Sequence, residues 1–426
     1  MGIMFFAGLA LIEIFFFVWS VITKNRHTTE KAVVRIAEGL LLVVLLLTGV
    51  FEWSFRYYGI LILLGIQAIV GVVRLVRRDE EPYSLGKSVF ALISCVLLFA
   101  IALLPAIVFP QYAPLARTGP HAVATAEFVW TDSSRDESFT VQADNRVVNV
   151  DFWYPQETGS YPLVIFSHGA FGLSYSNEST FVELASNGYV VASIGHPYHA
   201  FYAKNENGSP ILVNMDFLNS VYAVNAMEDS PEKQEIIDAW MDVRVQDMRY
   251  VLSAIEGNVK SAGSEPFDRI NLDRIGLMGH SLGGAAAAQV GREVEGIDAV
   301  VVLDGTMLGE VTGYEGSTQI LNSKPYPVSL LNIYTRDHYQ DALPYGSVYP
   351  NINVTQSGVD TYVAVLDDAG HLNMTDLPLF SPFLARVLGV GSIDARYGVE
   401  MTNEWTLAFF EYALKDGKPP QFEKEQ

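Results

Sequence analysis

Residues 274–284 read Arg-Ile-Gly-Leu-Met-Gly-His-Ser-Leu-Gly-Gly and join a short apolar run to an alanine-rich one. Few folds accept that arrangement. Ile275 to Met278 have the character of a buried strand, and Ala285 to Val290 that of a helix. Between them Gly279-x-Ser281-x-Gly283 makes a turn so sharp that side chains at either glycine would strike neighbouring backbone. Such an elbow lifts the serine clear of the sheet and points the first amides of the following helix at whatever reacts there. Ser281 is therefore the candidate nucleophile.

A serine hydroxyl needs a base, and the base needs a carboxylate to hold its tautomer. Two β-rich runs downstream end in suitable groups: 297–303 runs into Asp304-Gly305, and 362–366 into Asp367-Asp368-Ala369-Gly370-His371. Each polar residue follows the carboxyl end of a strand, where open α/β sheets carry their sites, in the chain order Ser, Asp, His used by α/β-hydrolases. Asp304 is the favoured acid. Asp337 is the alternative, because 328–334 is a further strand that ends near it, with Arg336 and His338 beside it fitting a solvated ion pair. His196 and His199 lack an obvious third metal ligand and read as surface or lid residues. His280 should pack and orient within the elbow.

Acyl transfer also requires donors for the developing oxyanion. The Leu282 amide supplies one. The buried run 163–166 opens into Ser167-His168-Gly169-Ala170-Phe171-Gly172, whose Ala170 amide is the candidate second donor, with Phe171 and Leu173 as candidate walls of an acyl pocket.

These segments resemble the plasma-type platelet-activating factor acetylhydrolases and their dienelactone-hydrolase-like and carboxylesterase relatives. The likeness is carried by Val150-Asp151-Phe152-Trp153-Tyr154-Pro155, Phe166-Ser167-His168-Gly169, the run 184–192, Gly279 to Gly284, Leu303-Asp304 and Gly370-His371, and spans most of 120–415. It implies a Ser281-Asp304-His371 triad, an oxyanion hole from Leu282 and Ala170, no metal or other cofactor, and hydrolysis of short or oxidised acyl esters. The stretch 203–242 has no clear counterpart, and the first 110 residues lie outside that family's domain.

Those first residues hold four apolar runs, 2–23, 32–53, 57–73 and 88–109, each of bilayer-spanning length. The first lacks the basic n-region and cleavage site of a signal peptide. Lys24, Arg26, Lys31 and Arg35 separate the first pair, Arg74, Arg77, Arg78 and Lys87 the last pair, and only Arg56 the middle pair. The bias places the amino terminus and everything beyond Phe109 outside a cell membrane, with both basic loops in the cytoplasm. Glu13 and Glu38 fall inside apolar runs, where they either serve function or face helix neighbours.

Charge divides the same way. Up to Pro110 there are 9 Lys and Arg against 7 Asp and Glu, and beyond it 18 against 41. So acidic an outer region is a poor ligand for nucleic acid or anionic headgroups and suits neutral or zwitterionic esters, small or lipid-like. The one cysteine, Cys95, lies in the fourth apolar run, so the outer region has no disulfide, which fits a bacterial surface. Sequons at Asn177, Asn207, Asn353 and Asn373 point the other way, although a glycan on Asn373 would crowd His371.

The expected architecture is an α/β fold: a transmembrane region 1–110 of four helices, a linker 111–120, and an α/β-hydrolase domain 121–426 whose mostly parallel sheet is covered by helices. Strands are expected at 122–130, 147–153, 162–166, 189–194, 275–278, 299–303, 328–334 and 362–366. An insertion at 205–258 is a candidate lid, its helix 231–255 presenting Ile236, Trp240, Val243, Met248 and Leu252 on one face or serving as a plain crossover. Two other functions remain compatible with the residues: acyl transfer through the same triad, and a non-catalytic hydrolase fold that senses a ligand.

Overall fold

The computed structural model describes residues 1–77, 82–141, 144–261, 263–316 and 318–422. It divides into two compact units, 1–113 with 379–387, and 114–378 with 388–426. Arg78, counted above among the basic loop residues, lies outside the described residues.

The first unit is built on α1 (Gly2–Thr23), α2 (Thr28–Leu47), α3 (Phe55–Arg77) and α4 (Leu85–Val108). Three of these, not four, are long and apolar enough to cross a bilayer: α1, α3 and α4. The expectation for the second run fails because α2 ends at Leu47 and carries Glu30, Lys31, Arg35 and Glu38 within its 20 residues. Two of those charges are answered inside the unit. Buried Glu13 of α1 accepts from Arg35 Nη2 at 2.9 Å and is ion-paired with Lys31 Nζ at 2.5 Å. Neighbouring helices run antiparallel, and small residues let them close up: a Cβ at Gly59 would stand 2.8 Å from the Ala102 carbonyl, and one at Gly71 2.9 Å from that of Ala32. The short segment 379–387 was not expected here. Its Ser381 Oγ donates to the Val108 carbonyl at 2.5 Å, answering one of the last carbonyls of α4, which no helical amide can reach.

The second unit carries an eight-stranded sheet. Its strands are β1 (Val123–Asp136), β2 (Asn145–Pro155), β3 (Tyr161–Ser167), β4 (Val190–Ile194), β5 (Ile270–His280), β6 (Ala299–Leu303), β7 (Ser329–Thr335) and β8 (Thr361–Leu366). Their order is β1-β2-β4-β3-β5-β6-β7-β8. β1-β2 and β2-β4 pair antiparallel, and from β4 through β3 and β5 to β8 each neighbour is parallel. Strands buried on both faces should read as continuous apolar runs, and they do: 163–166 and 299–303 are buried throughout.

Four helices matter for the site: α5 (Glu178–Ser186), α6 (Met215–Asn225), α7 (Pro231–Lys260) and α8 (Leu282–Glu293). α8 follows Ser281 directly. Its alanines keep it close to the sheet, and Gly291 allows a close approach farther along, since a Cβ there would meet Val300 Cγ2 at 2.4 Å. α7 begins at an N-cap, Ser230, whose side chain accepts from the Lys233 amide, with Pro231 in the first turn. Its buried ridge is Ile237, Met241, Val245, Met248, Leu252 and Ile255, about one position on from the expected face in its first half. Arg244 and Asp247 lie inside that ridge, and neither was anticipated.

Candidate active site

The elbow forms as its composition demands. Ser281 sits between β5 and α8 at φ 54°, ψ −123°, a conformation L-residues rarely hold without support from their surroundings. A Cβ on Gly279 would lie 2.2 Å from the Gly283 carbonyl oxygen, and one on Gly283 2.0 Å from that of Ser167. No side chain fits at either position. Leu282 opens α8, and the Ser281 carbonyl accepts from the Ala285 amide at 3.1 Å.

Asp304 follows β6, and its Oδ2 accepts from His371 Nδ1 at 2.7 Å. Its Oδ1 accepts from the Thr335 amide at 2.8 Å, Thr335 Oγ1 at 3.1 Å and His338 Nδ1 at 2.9 Å. Burial works against the Asp304 charge, but the bonds from His338 and His371 outweigh it and hold the carboxyl far below its ordinary range. Asp337 is exposed and takes no part in this cluster. Beside it, Arg336 Nε donates to Asp367 at 2.5 Å, and His338 turns inward to Asp304. His338 Nε2 then meets Tyr349 Oη at 2.6 Å, which meets Thr306 Oγ1 at 2.8 Å. Sequence reading missed His338 because its partner lies 34 residues earlier in the chain.

His371 opens a short 3-10 turn, His371–Met374, that Asn373 secures by accepting from the Gly370 and Gly391 amides, each at 2.8 Å. Asn373 is 2% exposed, and Asn177 1%, so neither sequon is open to a glycan. His280 packs against His371: its Nε2 lies 3.0 Å from the His371 carbonyl and the rings are 4.5 Å apart. Burial, with His371 adding to it, takes the His280 imidazole down to about 3, so it is neutral.

The loop after β3 lies against the elbow, since a Cβ on Gly169 would fall 3.2 Å from Ser281 Cβ. The Phe171 amide is committed to the His199 carbonyl at 3.0 Å and that of Gly172 to Gly169 at 3.1 Å. The Phe171 ring is half-buried against Phe217 of α6, with centroids 5.4 Å apart. Leu173, also half-buried, donates its amide to Ser176 Oγ at 2.7 Å.

His196 and His199 are not surface or lid residues. They are 0% and 1% exposed, in a polar cluster that α7 completes from the other side of the chain. Asp247 Oδ2 accepts from His196 Nδ1 at 2.9 Å and Arg146 Nη2 at 2.7 Å. Burial opposes the Asp247 charge, but Arg146 and His196 overcome it and keep the carboxyl well below its usual range. Burial lowers the imidazoles of His168, His196 and His199, helped in each by Arg244, so all three are neutral. The one signal in the sequence was the pair of charges within the buried stripe of α7. Among the described residues no group of three or more His, Cys, Asp or Glu side chains is placed to hold a metal ion.

A serine on a strand-to-helix elbow, a histidine bonded to an aspartate at the next strand end, and a parallel sheet covered by helices define an α/β-hydrolase. The profile of the family "Platelet-activating factor acetylhydrolase, isoform II" matches residues 139–423, and the chain belongs to that family. The platelet-activating factor acetylhydrolase of Cavia porcellus is 26% identical over 275 residues, covering 61% of this chain and 59% of that protein. A probable 1-alkyl-2-acetylglycerophosphocholine esterase of Arthroderma benhamiae is 26% identical over 182 residues, 42% of this chain and 40% of its own. The chain thus spans well under two thirds of the length of these relatives. A ferulic acid esterase from Streptomyces cinnamoneus superposes with a TM-score of 0.54 at 21% identity, over 74% of this chain and 95% of that one, which speaks to the fold.

Proposed function

We propose that this chain is a membrane-held serine ester hydrolase that cleaves short-acyl or oxidised lipid-like carboxylic esters. The bond from His371 to Asp304, beside a serine on a glycine-framed elbow, carries the reading. His371 Nε2 takes the proton from Ser281 Oγ as the oxygen attacks the ester carbon. The carbonyl oxygen becomes an oxyanion that accepts from the Leu282 and Ala170 amides. Collapse expels the alkoxide, which leaves as the alcohol with the proton from His371, and the acyl group remains on Ser281. Water, deprotonated by the same imidazole, then releases the carboxylic acid and restores the serine. Asp304 keeps Nδ1 protonated throughout and stabilises the transient imidazolium.

The substrate class rests on the two relatives named for acetyl-ester substrates and on Phe171, packed against Phe217, taken as a wall of the acyl pocket. On p-nitrophenyl esters, kcat/KM is expected to peak at about two to six acyl carbons and to fall steeply beyond, because methylenes that do not fit force repacking. Phospholipids with a truncated sn-2 chain should be cleaved faster than long-chain ones. A maximum at long chains would contradict the short pocket. Transfer to added alcohols in preference to water would make the enzyme an acyltransferase.

The apolar helices of the first unit hold the enzyme at a membrane. The loop after α1 and the basic last turn of α3 share one end of that unit, with Arg26 and Arg74 lining the same cavity, and the charge bias puts that end in the cytoplasm. Val108, at the far end of α4, then leads to an extracytoplasmic enzyme. Reporters fused after residue 120 should be active only outside the cytoplasm, and those fused near Lys31 or Arg77 only inside. The opposite pattern would place the enzyme in the cytosol.

A further inference from the structure

Arg244 is the largest fully buried side chain among the described residues, at 0% exposure, and the mechanism above makes no use of it. Its partners among the described residues are two carbonyls, a hydroxyl and an imidazole, with no carboxylate among them. Nη1 donates to the His168 carbonyl at 2.6 Å and more weakly to Ser167 Oγ at 3.4 Å. Nη2 donates to the Gly169 carbonyl at 3.3 Å, and Nε to His199 Nδ1 at 3.2 Å. Burial, opposed by the Asp247 charge and reinforced by Arg146, lowers the guanidinium to about 9, so it is still a cation at neutral pH.

What these bonds hold is the peptide between Gly169 and Ala170. In a trans peptide the C=O and N–H vectors point in opposite directions, so fixing the Gly169 oxygen fixes where the Ala170 amide points. That oxygen accepts from Arg244, from His168 Nδ1 at 2.7 Å and from the Gly172 amide at 3.1 Å. The far side of Ala170 is held through the same arginine. Arg244 Nε engages His199 Nδ1, the His199 ring stacks on Phe217 at 3.7 Å, and the His199 carbonyl takes the Phe171 amide at 3.0 Å. Ala170 therefore lies between two peptide groups that the guanidinium anchors from beneath, while the Gly169 backbone faces Ser281.

We infer that Arg244 is a positioning residue for the oxyanion hole, clamping the Gly169–Ala170 peptide so that the Ala170 amide meets the tetrahedral intermediate. The inference rests on the serine-hydrolase reading above. A lysine cannot do the same work, because a single ammonium lacks the planar fork that spans two successive carbonyls and an imidazole. The cationic charge near the developing oxyanion acts in the same direction.

The test uses the full chain in detergent, with active sites titrated by a fluorophosphonate so that only folded, reactive enzyme is counted. Arg244→Met should lower kcat per titrated site by about a hundredfold, the scale of one lost oxyanion donor, with KM within about threefold. Affinity for a boronic acid that mimics the tetrahedral state should fall by a similar factor. Arg244→Lys keeps a buried cation and serves if the methionine variant does not fold; it should lose about tenfold in kcat and in boronate affinity. A role in stability alone would lower the unfolding midpoint and leave both quantities per titrated site unchanged, and that result overturns the inference. Ser281→Ala, run in parallel, separates the two claims. If it keeps turnover, the serine-hydrolase reading fails; if it is dead while both Arg244 variants match the parent in kcat, only the clamp fails.

Discussion

Replacing Ser281 with alanine is expected to lower ester turnover by roughly three to six orders of magnitude and to abolish labelling by fluorophosphonates. The same loss is expected for His371→Ala. The elbow geometry does not depend on the hydroxyl, since the glycines and the backbone bonds of Ser281 set it, so the variants should fold as the parent does. Asp304→Asn should also be severe, because an amide cannot serve both imidazoles as the carboxylate does: His371 Nδ1 at 2.7 Å and His338 Nδ1 at 2.9 Å both require an acceptor. Asp337→Asn should be mild, its carboxylate being exposed and outside the cluster. Full turnover by the serine variant, or Asp337 proving the more damaging of the two aspartates, would mean the triad has been wrongly drawn. Steady-state kinetics with a chromogenic short-chain ester decides both points.

Acidification from about pH 7.5 to about pH 5.5 is expected to destabilise the hydrolase unit by about 3 kcal/mol net. His168, His196, His199 and His280 are buried and neutral, each with its proton affinity pushed down chiefly by burial. A histidine depressed in the folded state lends stability that is complete above its unfolded value near 6.5 and is lost as pH falls from there toward the folded value. Across that interval each one costs about 1.4 kcal/mol per pH unit, so the four together cost about 5. Asp376 acts in the opposite sense. Burial raises its carboxyl to about 7 against the bonds from Ser179, so it stabilises the fold below the unfolded carboxylate value and loses that contribution as pH rises through 7. Acidification over the interval therefore returns about 2 kcal/mol through this group. Asp304 does not enter, because its stabilisation, present above the unfolded value, is lost only at far lower pH. A fall of roughly 6 °C in the unfolding midpoint of the full chain in detergent, followed by tryptophan fluorescence, is the expected reading. A midpoint that holds or rises would show that these imidazoles are not held neutral.

The parts of the site that were legible in the sequence are those made by residues close together in the chain. Gly279, Ser281 and Gly283 occupy one turn, and their steric requirement is local, so composition alone announced the elbow. The strand positions were legible because a strand buried on both faces writes itself as an apolar run, and Asp304 and His371 could be placed because each follows such a run within five residues. In the first unit the apolar helices were legible for the same reason. The second helix was misjudged because the apolar run 32–53 does not show where the helix stands: it begins at Thr28, ends at Leu47 and takes in Glu30, Lys31, Arg35 and Glu38.

The remainder was decided by which strand ends the fold brings side by side. Asp304 and Asp337 both follow strands, and only the β6-β7-β8 order, which carries the turn after β8 back to the end of β6, delivers His371 to Asp304. His338 joins from the strand between, and Arg244 reaches the loop after β3 from a helix more than seventy residues away. Histidines 196 and 199 looked solvent-bound because their partners, Asp247 and Arg244, lie on that same helix. Periodicity reports which side of an element is buried. A hydrogen bond between charges depends on the separation of atoms that the chain joins only through its tertiary path.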